Sequence, residues 1–251
     1  IPGENFLTIN GSNTFDAQAI FDGPVGQRRK LEFLRVNGTS AINGGYIRTK
    51  DFQEYNGPAT LGADTLLIST DAGEIHFVET LDGPHGLDVQ TAGLTRFTGD
   101  VGFIEPLLSI TTDTPGRTHL EGDKIVGILD YNDRVSLGDD VTLNATTSVD
   151  FAQTIDGRTH DLVIISPSTT FHGDATDLGL LQTDADGRTF IEADITGREL
   201  DFNDPVALLS DSTLTGRDAV DFDGSLDGTH DLVVNSDRQV RFGGDVGMEQ
   251  I

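Results

Sequence analysis

The sequence predicts an all-β chain folded as a parallel β-helix (β-solenoid) of about ten rungs, built from tandem repeats with a sequence period of 71–76. Three observations carry this expectation. Long phrases recur at a fixed period, a finer recurrence subdivides each repeat, and apolar residues alternate with polar ones. The clearest phrase is DFDGSLDGTHDLVVNSDRQVRFGGDVG at residues 221–247. It has earlier copies in VDFAQTIDGRTHDLVIISPSTTFHGDAT at 149–176 and IHFVETLDGPHGLDVQTAGLTRFTGDVG at 75–102.

Three markers keep the period. F-x-G-D recurs at Phe97, Phe171 and Phe242, with a related FDGPVG at Phe21, spaced 76, 74 and 71. L/I-D-G recurs at Leu81, Ile155 and Leu226, spaced 74 and 71. An aromatic followed by Asn recurs at Tyr55, Tyr131 and Phe202, spaced 76 and 71. A shared period in independent markers is the signature of a tandem array, whose units share one continuous core.

Each repeat divides again. Gly73, Gly93 and Gly116 each stand four residues before an apolar residue, Phe77, Phe97 and Leu120, in steps of 20 and 23. The third of these sub-units is longer because it contains IVGILDYNDRVSLGDDVTL. Rungs of this size with Gly, Asp and Asn at the corners suit the coil of a solenoid. A string of small β-sandwiches is the competing fold. It does not explain equivalent sub-units, because the strands of a Greek key are not equivalent.

Within the rungs the period is two, the strand signal. In RTHLEGDKI, Thr118 and Leu120 share one face; Arg117, His119, Glu121 and Asp123 share the other. In GLTRFTGDV, Phe97 and Val101 oppose Arg96, Thr98 and Asp100. One face is therefore buried. Abundant Gly, Thr, Asp and Val disfavours helix. Stacking the rungs places Phe77, Phe97, Leu120, Phe151, Phe171, Ile191, Phe222 and Phe242 in one core column. The chain reads as a single continuous solenoid over 1–251: an irregular N-terminal portion and partial repeat at 1–57, repeats at 58–132 and 133–203, and a partial repeat at 204–251.

Composition limits the partners. There are 42 acids against 16 bases, a net charge of −26, with 32 Asp and 10 Glu. Such a surface repels nucleic acid and anionic membranes. Its plainest role is solvation. No cysteine is present, so disulfides do not hold the fold. No apolar run reaches the ~18 residues of a membrane span. The opening IPGENFLTI has neither the basic start nor the apolar run of a signal peptide. The chain starts and stops inside repeats and is expected to be a segment of something longer.

The phrases YNGPATLGADTLLIST, LDVQTAGLTRFTGDVG and SITTDTPGRTHLEGD resemble the tandem units of very large bacterial secreted β-strand-repeat proteins, the filamentous-haemagglutinin-like or autotransporter-adhesin-like group. The resemblance covers the chain from Phe6 onward. It implies a right-handed parallel β-helix, an extracellular or cell-surface location, and a role as stalk, adhesin or matrix fibre. The secretion domain that such proteins carry at their N-terminus is not recognisable here.

Chemistry is sparse. His85, His160 and His230 each follow a D-G corner, but they stand about three rungs apart and cannot share an ion. They read as corner residues. GDD at Gly138, DADG at Asp184 and DFDG at Asp221 are fragments of calcium loops without the full ligand set. Calcium is the one cofactor the acids could take, with Asp184 and Asp186 as its candidate ligands. Neither irregular stretch, Gln27-Arg28-Arg29-Lys30 or the loop after Lys124, sets an acid pair beside a nucleophile, so no catalytic residue is expected. Asn10, Asn37 and Asn144 head N-glycosylation patterns, of which the first two, Asn-Gly, double as turn sequences.

The expected function is structural or adhesive: a segment or subunit of a cell-surface fibre. The expected partners are another copy of this chain, head to tail, or a covalent continuation of the array. A carbohydrate or host cell-surface ligand is also expected, without nucleic acid or membrane insertion. The alternative is a carbohydrate-binding or carbohydrate-cleaving β-helix.

Overall fold

Alternating side chains become coils because the apolar positions of each strand turn mostly inward once the chain bends at a Gly or Asp corner. The structure, a computed structural model, describes residues 6–10 and 18–247. The irregular start IPGEN, the Phe15-Asp16 phrase, the end of the Asn10 glycosylation pattern and Met248–Ile251 lie outside the described residues. Those described form a β-solenoid of about 11 turns, with parallel strands repeating about 20 residues apart and no helix. The chain divides into two compact units, Ile1–Gly127 and Ile128–Ile251.

In the first unit each coil has three faces. One stacks Leu7–Ile9, Leu34–Val36, Gln53–Tyr55, Ile75–Phe77, Leu94–Phe97 and Arg117–Leu120. The next stacks Ala19–Phe21, Ser40–Ile42, Ala59–Leu61 and Leu81–Asp82. The third stacks Tyr46–Thr49, Thr65–Ser69, Gly86–Thr91 and Leu107–Thr112. The inward column of the first face runs Ile9, Val36, Tyr55, Phe77, Phe97, Leu120. Its rings lie nearly parallel, with centroids 4.8 Å apart for Tyr55–Phe77 and 5.6 Å for Phe77–Phe97. Each such pair adds ~0.5–1.5 kcal/mol beyond the area it buries.

The second unit is also three-faced. On one face Phe151, Phe171, Ile191 and Leu208 are register partners, and Tyr131 stacks on Phe151 at 5.6 Å. On another, the column is Leu143, Ile164, Thr183, Phe202, Phe222, Phe242. This corrects the single column expected from sequence: Phe222 and Phe242 do not continue Phe171 and Ile191. The reason is a mismatch of periods. Three coils of about 20 residues carry Tyr131 to the level of Ile191, and a further part-coil brings the chain to Phe202, on a different face. Each sequence repeat thus supplies a trio of stacked rings. The first unit holds Tyr55–Phe77–Phe97. The second holds Tyr131–Phe151–Phe171 and Phe202–Phe222–Phe242.

The stretch expected to be an insert is ordinary coil where the second unit contains it. Val135 pairs with Ile155, and Val141 with Leu162. The glycine of F-x-G-D has a packing cause. A Cβ on Gly99 would sit 2.5 Å from the backbone of Glu79, one coil back, and a Cβ on Gly173 would sit 2.4 Å from that of Gln153. Close stacking at this corner excludes any side chain.

Candidate functional site

The aspartates do more than solvate. At corner after corner, a carboxylate accepts the backbone N–H of an adjacent coil. Asp100 takes that of Asp123 at 2.9 Å, and Asp174 that of Asp194 at 3.1 Å. Both belong to the F-x-G-D marker. Bonds to a charged acceptor are stronger than neutral ones, and the short Asp side chain gives up little rotamer freedom to make them. This favours Asp over Glu at these corners.

The three repeated histidines occupy one geometry. His85, His160 and His230 place Nδ1 at 3.5, 3.7 and 3.6 Å from Asp64, Asp140 and Asp211, one coil earlier. The same carboxylates accept the N–H of Gly86, Asp161 and Asp231. Each Asp therefore clamps the corner that its histidine covers.

The calcium candidates are placed apart from such groups. Asp184 accepts the Ser166 N–H at 3.0 Å, and Asp186 is exposed on the turn. Asp221 accepts the Gln239 amide at 3.0 Å, and Asp223 pairs with Arg241. Among the described residues, one group brings three metal-binding side chains together: Asp139, Asp140 and His160, with ligand atoms within 4.8 Å of one another. Calcium takes six to eight oxygens, and this trio supplies two carboxylates and an imidazole.

Sequence reasoning missed the ion-pair ladders on the outer faces, because their members come from different coils. In the first unit, Arg96 binds Glu121 at 2.6 Å and His119 approaches the same carboxylate at 3.2 Å. Burial alone would raise the Glu121 carboxyl, but the bond and charge of Arg96, with His119, hold it below its usual value. His76 in the same ladder bonds Thr98 at 2.9 Å, and burial lowers its pKa. The basic run is partly tied down, since Lys30 donates to Thr70 at 2.9 Å. Not every aromatic is inward: Phe6, Phe33 and Phe52 stack at 5.3 and 4.7 Å on the outside. Asn37 of the second glycosylation pattern joins an amide ladder with Asn10 and Asn56.

In the second unit, His172 stands between two carboxylates from neighbouring coils, Glu192 at 2.7 Å and Asp150 at 3.2 Å. The Glu192 bond raises its pKa above 6.5, against partial burial and with help from Asp150. A raised folded-state pKa stabilises the fold fully below the unfolded value, and the gain is lost as pH rises through the folded one. His172→Gln is therefore expected to lower the melting temperature at pH 5.5 and to leave it unchanged at pH 9. A deficit that grows toward pH 9 would contradict the arrangement.

Two charged groups are buried. Lys124 is fully enclosed and donates to the carbonyls of Gly99, Glu121 and Gly122 at 3.2, 2.6 and 2.9 Å. Burial pushes its amine down to about 7, against the pull of Asp100, Asp123 and Glu121. Asp204, also enclosed, accepts the hydroxyls of Thr183 and Thr189 at 2.7 and 2.9 Å. Burial raises its carboxyl pKa against those two bonds.

The last described coil differs from the rest. Phe222 is buried, whereas Phe242, its partner in the same column, is 45% exposed. Val240 is 41% exposed, whereas its partner Val220 is enclosed. Set against known protein families, curated proteins and solved structures, the chain matches none of them.

Proposed function

We propose that this chain is a structural or adhesive component of an extracellular, cell-surface fibre, extended by the docking of coil upon coil. The supporting observation is the β-solenoid itself, in which like coils stack in parallel at intervals of about 20 residues. Successive coils seat on one another in parallel register, residue on like residue, as Phe202 on Phe222 on Phe242 and Val206 on Leu226. The strand edge of such a coil templates the pairing of another strand. The occupant that fits is a coil of the same pattern from a second copy, stacking in the same parallel sense. Such a contact is heterologous and does not close, so it grows into filaments. The repeat phrases, which resemble those of filamentous-haemagglutinin-like and autotransporter-adhesin-like proteins, support the same reading.

Sedimentation of the chain at rising concentration tests it. The expected result is a mass that climbs with concentration, and that stays at the monomer value when Phe242→Asp and Val240→Asp charge the coil at residues 226–247. A wild-type chain that stays monomeric throughout, or a doubly substituted chain that associates equally well, would reject the proposal.

A further inference from the structure

We propose that a groove in the second unit, walled by Arg198 and Arg217, binds an acidic oligosaccharide through its carboxylate and hydroxyl groups. The groove has a volume of about 410 Å³. Its lining comes from five successive coils, at Thr159, Asp177, Thr196, Thr215 and Asn235 and the residues beside them. Coils one strand spacing apart make it roughly 19 Å long, suited to an elongated ligand. The groove reaches Asn235, Ser236 and Asp237 in the coil that also carries Phe242, so binding is measured on the monomer to keep it separate from fibre growth.

The groove exists because the solenoid is irregular there. Register slips between Ala175 and Leu178, and again between Gly197 and Glu199. Such bulges bend a strand and redirect its side chains. Three of the four non-glycine residues with positive φ among those described flank this corner: Arg158 at 50°, Thr159 at 70° and Asp177 at 54°. Strain of this kind persists only where surrounding structure imposes it, and it gathers at binding sites. The floor is bare. Gly197 and Gly216 are register partners, and a Cβ on Gly216 would meet the Ala219 carbonyl oxygen at 1.9 Å.

The lining chemistry selects the ligand. Thr196, Thr215 and Asn235 lie in register, a ladder of hydroxyl and amide groups along the groove. Arg198 and Arg217 come from adjacent coils, although stacked like charges destabilise a sheet. Their carboxylate partners are poor. Arg198 has Glu199 and Asp218 at 3.8 Å, and Asp218 is shared with Arg238 at 3.4 Å. Among the described residues Arg217 has no ion-pair partner. In a chain of net charge −26, two arginines from adjacent coils that line one groove, with no carboxylate nearer to Arg198 than 3.8 Å, are set to receive an acid group from outside, which the planar fork of Arg grips in bidentate fashion. Asp177 and Asp237, toward the two ends of the groove, can accept bonds from sugar hydroxyls.

A nucleic acid fits less well. No aromatic lines the groove, so bases of a nucleic acid would find no stacking platform. The overall negative charge acts at long range, but with a Debye length of about 8 Å at physiological ionic strength, the arginines within contact distance prevail.

The test is calorimetric titration with an alginate-derived hexuronate oligomer and with maltohexaose, in 150 mM salt and a chelator, at a protein concentration where sedimentation shows monomer. The hexuronate is expected to bind and maltohexaose to bind at least tenfold more weakly. Arg198→Ala and Arg217→Ala should each weaken hexuronate binding about tenfold or more with an unchanged melting temperature, and Thr215→Val should weaken it about threefold. Equal binding of the two oligomers, unchanged affinity in both arginine variants, or no hexuronate binding at millimolar concentration would overturn the assignment.

Discussion

Phe171→Asp is expected to unfold the second unit, or to leave it on the order of 5 kcal/mol less stable. Phe171 is fully enclosed, stacked 5.4 Å from Phe151 and in register with Ile191. Truncating a buried Phe costs about 3–5 kcal/mol through lost burial and the cavity left behind. A buried carboxylate without a partner adds a penalty of several kcal/mol. The sum approaches the whole stability of an ordinary domain, about 5–15 kcal/mol. In a stacked array the loss falls on the coils to either side, because each coil is stabilised by its neighbours. Urea unfolding measures it, with Ile165→Asp as control. Ile165 points outward on the same unit and is 39% exposed, so the same charge there should change stability by about 0.5 kcal/mol or less. An unchanged midpoint for Phe171→Asp would show that the aromatic column is not the core.

The second large effect concerns pH. With the Lys124 amine at about 7 in the folded chain, against an ordinary 10.5, the unfolded chain binds one more proton throughout the interval. Stability then rises with pH across that window, by up to about 1.4 kcal/mol per pH unit. The window has an upper limit, because burial raises the pKa of Tyr55 and Tyr131. Ionisation of tyrosines in the unfolded chain therefore opposes the gain from about pH 10. Between pH 7.5 and 9.5 the wild-type chain is expected to gain about 2 kcal/mol in urea unfolding. Lys124→Met, which keeps the length of the side chain and removes its charge, should show a flat profile over the same range. A wild-type profile as flat as that of the variant would mean that the amine keeps its ordinary pKa.

The sequence made the coils legible through period-two alternation, and it made the array legible through markers such as Phe97, Phe171 and Phe242. Both signals are local. What it did not make legible was the turn count per repeat. Gly-to-Gly steps near Phe77 and Phe97 fit whole coils, but nothing in the residue order shows that Phe202 opens its trio on a different face from Phe171. Register between distant strands settles that. Lys124 and Asp204 were hidden for a related reason. Their binding partners are backbone carbonyls and threonine hydroxyls supplied by other turns or coils, and a lone Lys or Asp in a strand pattern reads as exposed. The groove at Arg198 and Arg217 was missed because a bulge that slips register by one residue leaves no mark in composition.

The mismatch between repeat and coil acts as a vernier. Had the repeat equalled a whole number of coils, the stiff aromatic stretches would lie along one side, and such a column would bend more easily toward some directions than others. With a part-coil left over, the second unit shifts the stretch begun at Tyr131 to another side at Phe202. An array that keeps this remainder spreads its rigid segments around the axis in turn, so resistance to bending is shared among directions. Inserting or deleting residues at a corner would reset the phase of every later repeat while leaving each coil intact. Divergence in repeat length, with marker spacing falling from 76 to 71 along this chain, thus sets which face carries each aromatic trio.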